Sequence, residues 1–160
     1  MSTVTEIRQA LKAQIEAVDG AGMVHDHERY GTTERFFRDN YAWDGENGAK
    51  QIRGWFIRRK RTLERTIAVG RIYNAHTWIA RCFSGLADGG ESEIEFDEMV
   101  ERVRAANRAD ENLGGLVQPG SLDEVSGWQL IDSTPVYFAG VLCHSALLQL
   151  TTYNLLNSGE

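Results

Sequence analysis

The sequence predicts an α+β protein: a mostly antiparallel sheet with two amphipathic helices packed on one face and one short extra helix. Three observations lead there. Apolar residues recur at helical period near residues 4–17 and 93–107. Runs at 51–59, 71–83 and 127–153 have the two-faced alternation of strands. The connections within the last two pairs of strands are too short for a helical crossover, so these strands should pair antiparallel. The 160 residues suit one domain, 1–160.

Val4, Ile7, Leu11, Ile15 and Val18 form the first apolar stripe, and Thr3 and Glu6 have the spacing of a capping box. Asp19, Gly20 and Gly22 stop this helix. Residues 23–30 read as a short extended segment. His25 and His27 would share one face of a strand there, and two imidazoles can begin a metal site. No carboxylate-rich motif completes a ligand set, so a polar edge strand with solvated histidines is favoured. Residues 32–41 read as a short helix capped by Thr32 or Thr33, with Phe36, Phe37 and Tyr41 as its aromatic anchor. The acidic, glycine-rich stretch 43–48 is a loop that lacks the ligand pattern of a calcium site.

Residues 51–59 form a strand with Ile52 and Phe56 on one face and Trp55 and Ile57 on the other. Residues 71–83 form a second, with Tyr73, Ala75, Thr77, Ile79 and Phe83 opposite Ile72, His76, Trp78, Ala80 and Cys82. The two should pair, leaving 60–70 as a projecting basic arm. Trp55, Phe56 and Trp78 are assigned to the core rather than to stacking platforms for single-stranded nucleic acid. After the loop 84–90, Ser92 and Glu95 suggest another capping box. Phe96, Met99, Val100, Val103 and Ala106 make the second apolar stripe. A long loop, 110–126, precedes a closing hairpin that turns at Ala139 and Gly140. In its last strand Leu142, His144, Ala146, Leu148 and Leu150 share a dry face, and Val141, Cys143, Ser145, Leu147, Gln149 and Thr151 share a mixed one. Cys143 and His144 therefore point to opposite faces and cannot act as a nucleophile and base. His144 is expected in the core beside a polar partner, and Cys82 and Cys143 as reduced core thiols.

Charge is segregated. Residues 50–71 hold eight basic residues and one acid, a net +7, which leaves −13 for the rest of a chain whose net charge is −6. Such a split suits an anionic partner or the acidic surface of a neighbouring subunit. No phosphate loop, dinucleotide fingerprint, nucleophile elbow or zinc spacing is present, so neither an enzyme nor a cofactor is expected. The polar start of the chain and the lack of a run near 18 apolar residues give the expectation of a soluble cytoplasmic protein.

A series of short segments runs along the chain: IRQAL at 7–11, GMVHD at 22–26 and IRGW at 52–55. It continues with the helix at 92–103 leading to NLGG at 112–115, then ID at 131–132 and GVLCH at 140–144. In the order of these segments, over most of the chain, the layout resembles the minor tail proteins of tailed bacteriophages and prophages, in the tail-terminator or tail-completion class. The resemblance implies an α+β subunit that forms a ring, often a hexamer, capping the tail tube and joining it to the head. Partners would be tail-tube and head-completion proteins, with DNA passing through the pore and no membrane. The protein would end in the virion tail after assembly in the host cytoplasm. Arg58, Arg59, Lys60, Arg61 and Arg65 would then face the pore or a neighbouring subunit. The loops 31–50 and 110–126 are longer than in many such proteins. Two other readings remain: a nucleic-acid-binding module using 50–71, and a small metal-binding enzyme using His25, His27 and His76.

Overall fold

The computed structural model describes residues 3–45, 50–86, 91–120 and 125–159. Parts of the expected loops 43–48, 84–90 and 110–126 lie outside the described residues. In chain order the elements are α1 (Thr3–Glu16), β1 (Met23–His25), α2 (Glu34–Asn40), β2 (Ala42–Asp44), β3 (Lys50–Ala68) and β4 (Arg71–Gly85). They continue with α3 (Ser92–Ala109), β5 (Gln129–Ser133), β6 (Val136–Phe138) and β7 (Val141–Asn157). The seven strands of the described residues make one sheet ordered β1-β3-β4-β7-β5, with β2 also on β3 and β6 also on β7. All pairings are antiparallel except β1 on β3. The fold is α+β, as the periodicities require.

The larger core lies between the sheet and the two long helices. Ile7, Leu11 and Ile15 of α1 and Phe96, Met99, Val100 and Val103 of α3 meet Trp55, Ile57, Trp78, Ala80, Cys82, Ala146, Leu148 and Leu150 of the sheet. These are the helix stripes and strand faces that the 3.6- and 2-residue periods pick out. Two buried indoles are satisfied: Trp55 Nε1 donates to the Ala21 carbonyl at 3.0 Å, and Trp78 Nε1 to Thr152 Oγ1 at 3.0 Å. Asn107 of α3 donates to Gln14 Oε1 of α1 at 2.9 Å and ties the helices together.

The opposite face carries a smaller aromatic core of Tyr41, Ile52, Phe56, Phe83, Ala139 and Cys143. Phe37 and Phe138 close it, and Phe138 stacks on Phe83 with ring centroids 4.0 Å apart. Thr33 caps α2, its Oγ1 accepting from Phe36 N at 3.2 Å. The mixed face of β7 is thus covered at its Val141–Cys143 end by β6 and α2, while Leu147, Gln149 and Thr151 stay half-exposed.

Four expectations are corrected. The strand from residue 51 does not end at 59 but runs to Ala68 and turns through Val69 and Gly70 into β4, Gly70 at φ +75. Trp43 and Asp44, expected at the start of a loop, belong to the strand Ala42–Asp44. The first arm of the closing hairpin is split into β5 and β6, because Pro135 has no N–H to give the ladder. Ser92 does not cap α3: the N-cap is Glu91, without a side-chain cap bond. The Ser92 hydroxyl instead sits 2.9 Å from His144 Nε2.

That contact is the polar partner expected for His144, which is buried and stacks on Phe96 at 5.4 Å. Replacing Ser92 by Ala leaves a buried ring nitrogen unpaired. We expect Ser92→Ala to lose about 1–3 kcal/mol in urea denaturation, as for other orphaned buried polar groups. A change below about 0.3 kcal/mol would mean that water reaches His144.

Candidate functional site

The basic segment is a hydrogen-bonded two-stranded ribbon with register shifts at Arg59/Arg61 and Thr66/Ala68. β3 and β4 pair from Arg53↔Ser84 to Ala68↔Arg71, and β7 follows β4 as far as Arg71↔Asn157. Every residue from Arg58 to Val69 is exposed. On its outer side β3 is met by β2 only at 50–52 and by β1 only at Gly54, Trp55 and Phe56. Beyond that, this edge of the sheet has no strand partner among the described residues.

A bulge sorts the charges. Arg59 pairs with Trp78 and Arg61 with the next residue along, Thr77, so Lys60 is an extra residue in β3. Cross-strand partners share a face. Arg58 opposite Ile79, Arg61 opposite Thr77 and Arg65 opposite Tyr73 therefore lie together on the face away from α1 and α3. Arg59 lies with Trp78 on the helix side. Strict alternation from residue 58 would have put Arg61 on the helix side as well. Arg58 has an acid nearby, Glu28 at 3.6 Å, an exposed pair of little energetic weight. The same face holds Tyr73 stacked near Tyr153, ring centroids 5.6 Å apart.

Acidic groups gather elsewhere. Glu91, Glu93, Glu95, Asp97, Glu98 and Glu101 of the α3 region are all exposed, on a helix that covers the other face of the sheet. The far edge of the sheet is β5, whose Leu130 is 43% and Ile131 54% exposed.

The histidines do not converge. His25 is half-buried with Nε2 2.7 Å from the Asn40 carbonyl, and it lies edge-on to Tyr41. His27 falls beyond the end of β1 and lies 2.5 Å from Asp26 Oδ1. His76 is buried in β4, its Nδ1 2.7 Å from Thr62 Oγ1. Among the described residues no three His, Cys, Asp or Glu side chains come together as metal donors. Cys82 and Cys143 are free and buried on opposite faces of the sheet. Burial pushes both thiols up, Cys143 to about 11. Thiolate chemistry is suppressed at both. No helix of the described residues is long and apolar enough to cross a membrane.

Burial holds the His25 and His76 pKa values below 6.5; Arg59 adds to the effect at His76, and the neighbouring Asn154 carboxamide opposes it. A histidine with a depressed folded pKa binds fewer protons folded than unfolded, so stability rises with pH between the two values. We expect stability to fall as pH drops below 6.5 and to level once the folded rings protonate. Thermal melts of the protein and of His76→Gln between pH 5 and 7.5 check this. An equal pH slope in both would remove His76 as a cause. Neither known family models nor curated protein sequences match this chain.

Proposed function

We propose that the protein is a non-catalytic structural subunit of a phage or prophage tail, which assembles head-to-tail into a ring at the end of the tail tube and joins tail to head. The observation that carries this reading is the pair of unlike edges of the sheet, both uncovered among the described residues. One is the basic stretch of β3 beyond Phe56; the other is β5 with Leu130 and Ile131 outward. A long open strand edge is a liability in an isolated chain and a joint in an assembly. Two different surfaces on one subunit make a heterologous contact, which closes into a ring when the rotation per subunit allows. The exposed acids of the α3 region give the basic arm a complementary surface on a neighbour. Tail-tube and head-completion proteins would meet the two ends of such a ring, and DNA would pass through its pore.

Light scattering on a size-exclusion column tests assembly. We expect a single multiple of the 18.0 kDa chain, six or a similar number, lost in Ile131→Lys while far-UV dichroism is kept. A monomer at every protein and salt concentration overturns the reading.

A second reading has its own observation. The bulge at Lys60 gathers Arg58, Arg61 and Arg65 on one face beside Tyr73, a surface suited to phosphates and bases. Binding of single- or double-stranded DNA by the monomer, falling steeply with salt, would favour a nucleic-acid-binding module instead.

A further inference from the structure

On the helix side of the sheet, where α1 begins, lies a cleft of about 600 Å³. Its floor is Asn74 of β4 and Asn154 of β7, which pair directly across the two strands. Both are at least nine-tenths buried, at 6% and 4% exposure. Yet among the described residues Asn74 Oδ1, Asn154 Oδ1 and Asn154 Nδ2 have no partner in full hydrogen-bonding geometry, His76 being a polar neighbour of Asn154 in the cleft. Buried carboxamides are normally satisfied, and each orphan costs free energy in the isolated chain. Val4, Leu116 and Leu156 supply an apolar rim.

The strand edge beside the cleft is also open. On the side of β7 away from β4, β5 pairs only as far as Gln149, and a single bridge follows, the Gln118 N–H donating to the Tyr153 carbonyl at 2.7 Å. In an antiparallel ladder the outward-directed residues alternate, so Leu155 presents its backbone groups on that side next. No strand of the described residues takes them.

We propose that this cleft docks an extended, uncharged peptide segment of a second protein chain. The segment would add to the β7 edge at Leu155, continuing the ladder that Gln118 begins, and a peptide or side-chain amide of it would pair with the carboxamides of Asn74 and Asn154. A carboxamide offers one donor and one acceptor side by side, which matches an amide and not an anion or cation. Glu6 at the rim further disfavours an acidic ligand. The site is separate from the arm and stands whether or not the chain forms a ring.

The probe is acetylated, amidated trialanine, titrated into the ¹⁵N-labelled full chain and followed by two-dimensional NMR. We expect saturable shifts of the side-chain amides of Asn74 and Asn154 and of the Leu155 N–H, and none with sodium acetate. Asn154→Leu should weaken the binding at least tenfold. The same variant, without peptide, should melt about 2–4 °C higher, since it removes an unpaired buried amide. Asn74→Leu serves in its place if Asn154→Leu fails to fold. Absence of saturable shifts, shifts unchanged by the substitutions, or a lower melting temperature overturns the proposal; the last would mean that the amides are satisfied within the fold, by water included.

Discussion

Trp78→Ala is expected to cost about 3–5 kcal/mol, the range for deleting a large aromatic from a core that cannot collapse around the gap. Trp78 is fully buried at the middle of β4, opposite Leu150 of β7 and two residues before Ala80 on the same face, in the main core. The Arg8 guanidinium of α1 lies 5.4 Å from its ring, so helix and sheet meet there. Removal also strands the Thr152 hydroxyl that accepts from its Nε1. Domains of this size are typically stable by only about 5–15 kcal/mol, so the variant should be partly unfolded at 37 °C. Urea denaturation would measure the loss, with Leu63→Ala as control, since Leu63 is half-exposed on the arm. A loss below about 1 kcal/mol for Trp78→Ala would mean that the sheet and the two helices do not share one packed core.

That tryptophan was legible as a core residue from its place in an alternating run, as were Trp55, Cys82 and Leu148. The helix stripes were equally plain, because Ile7, Leu11 and Ile15, and Phe96, Met99 and Val103, recur at the spacing that keeps one helical face dry. The failures have local causes. A three-residue strand such as β2 has no period to detect. The basic run 58–61 carries no apolar alternation, and its bulge shifts what remains of the phase, so a strand of 19 residues read as one of nine. Ser92 fits a cap by spacing, but spacing is blind to His144, which lies 52 positions later. The Asn74–Asn154 cleft was out of reach for the same reason: Asn74 reads as an ordinary polar strand residue and Asn154 lies just past the run read as strand, until the register sets them opposite one another. The basic residues stand out in the sequence as a group, yet only the register divides Arg59 from Arg58, Arg61 and Arg65.

That division makes the sharpest test of the assembly reading. Reversing Arg58, Arg61 and Arg65 together to Glu changes the charge of one exposed face by six, while Arg59→Glu changes the other face. All four side chains are exposed, and the Glu28 pair lost with Arg58 is worth at most about 1 kcal/mol, so both proteins should fold. We expect the triple variant to associate roughly a hundredfold more weakly or worse, about 1 kcal/mol per attraction lost with repulsion added, and Arg59→Glu to stay within about threefold. Deletion of Lys60 is the more demanding control. It removes the bulge but leaves Arg59 and Arg61 as consecutive ladder residues, which still face opposite ways. The arginine pattern survives, so association should survive, although a basic residue has gone. If the deletion disrupts assembly as fully as the triple reversal, total positive charge matters rather than its arrangement. If the triple variant assembles like the parent, the arm takes no part in the contact.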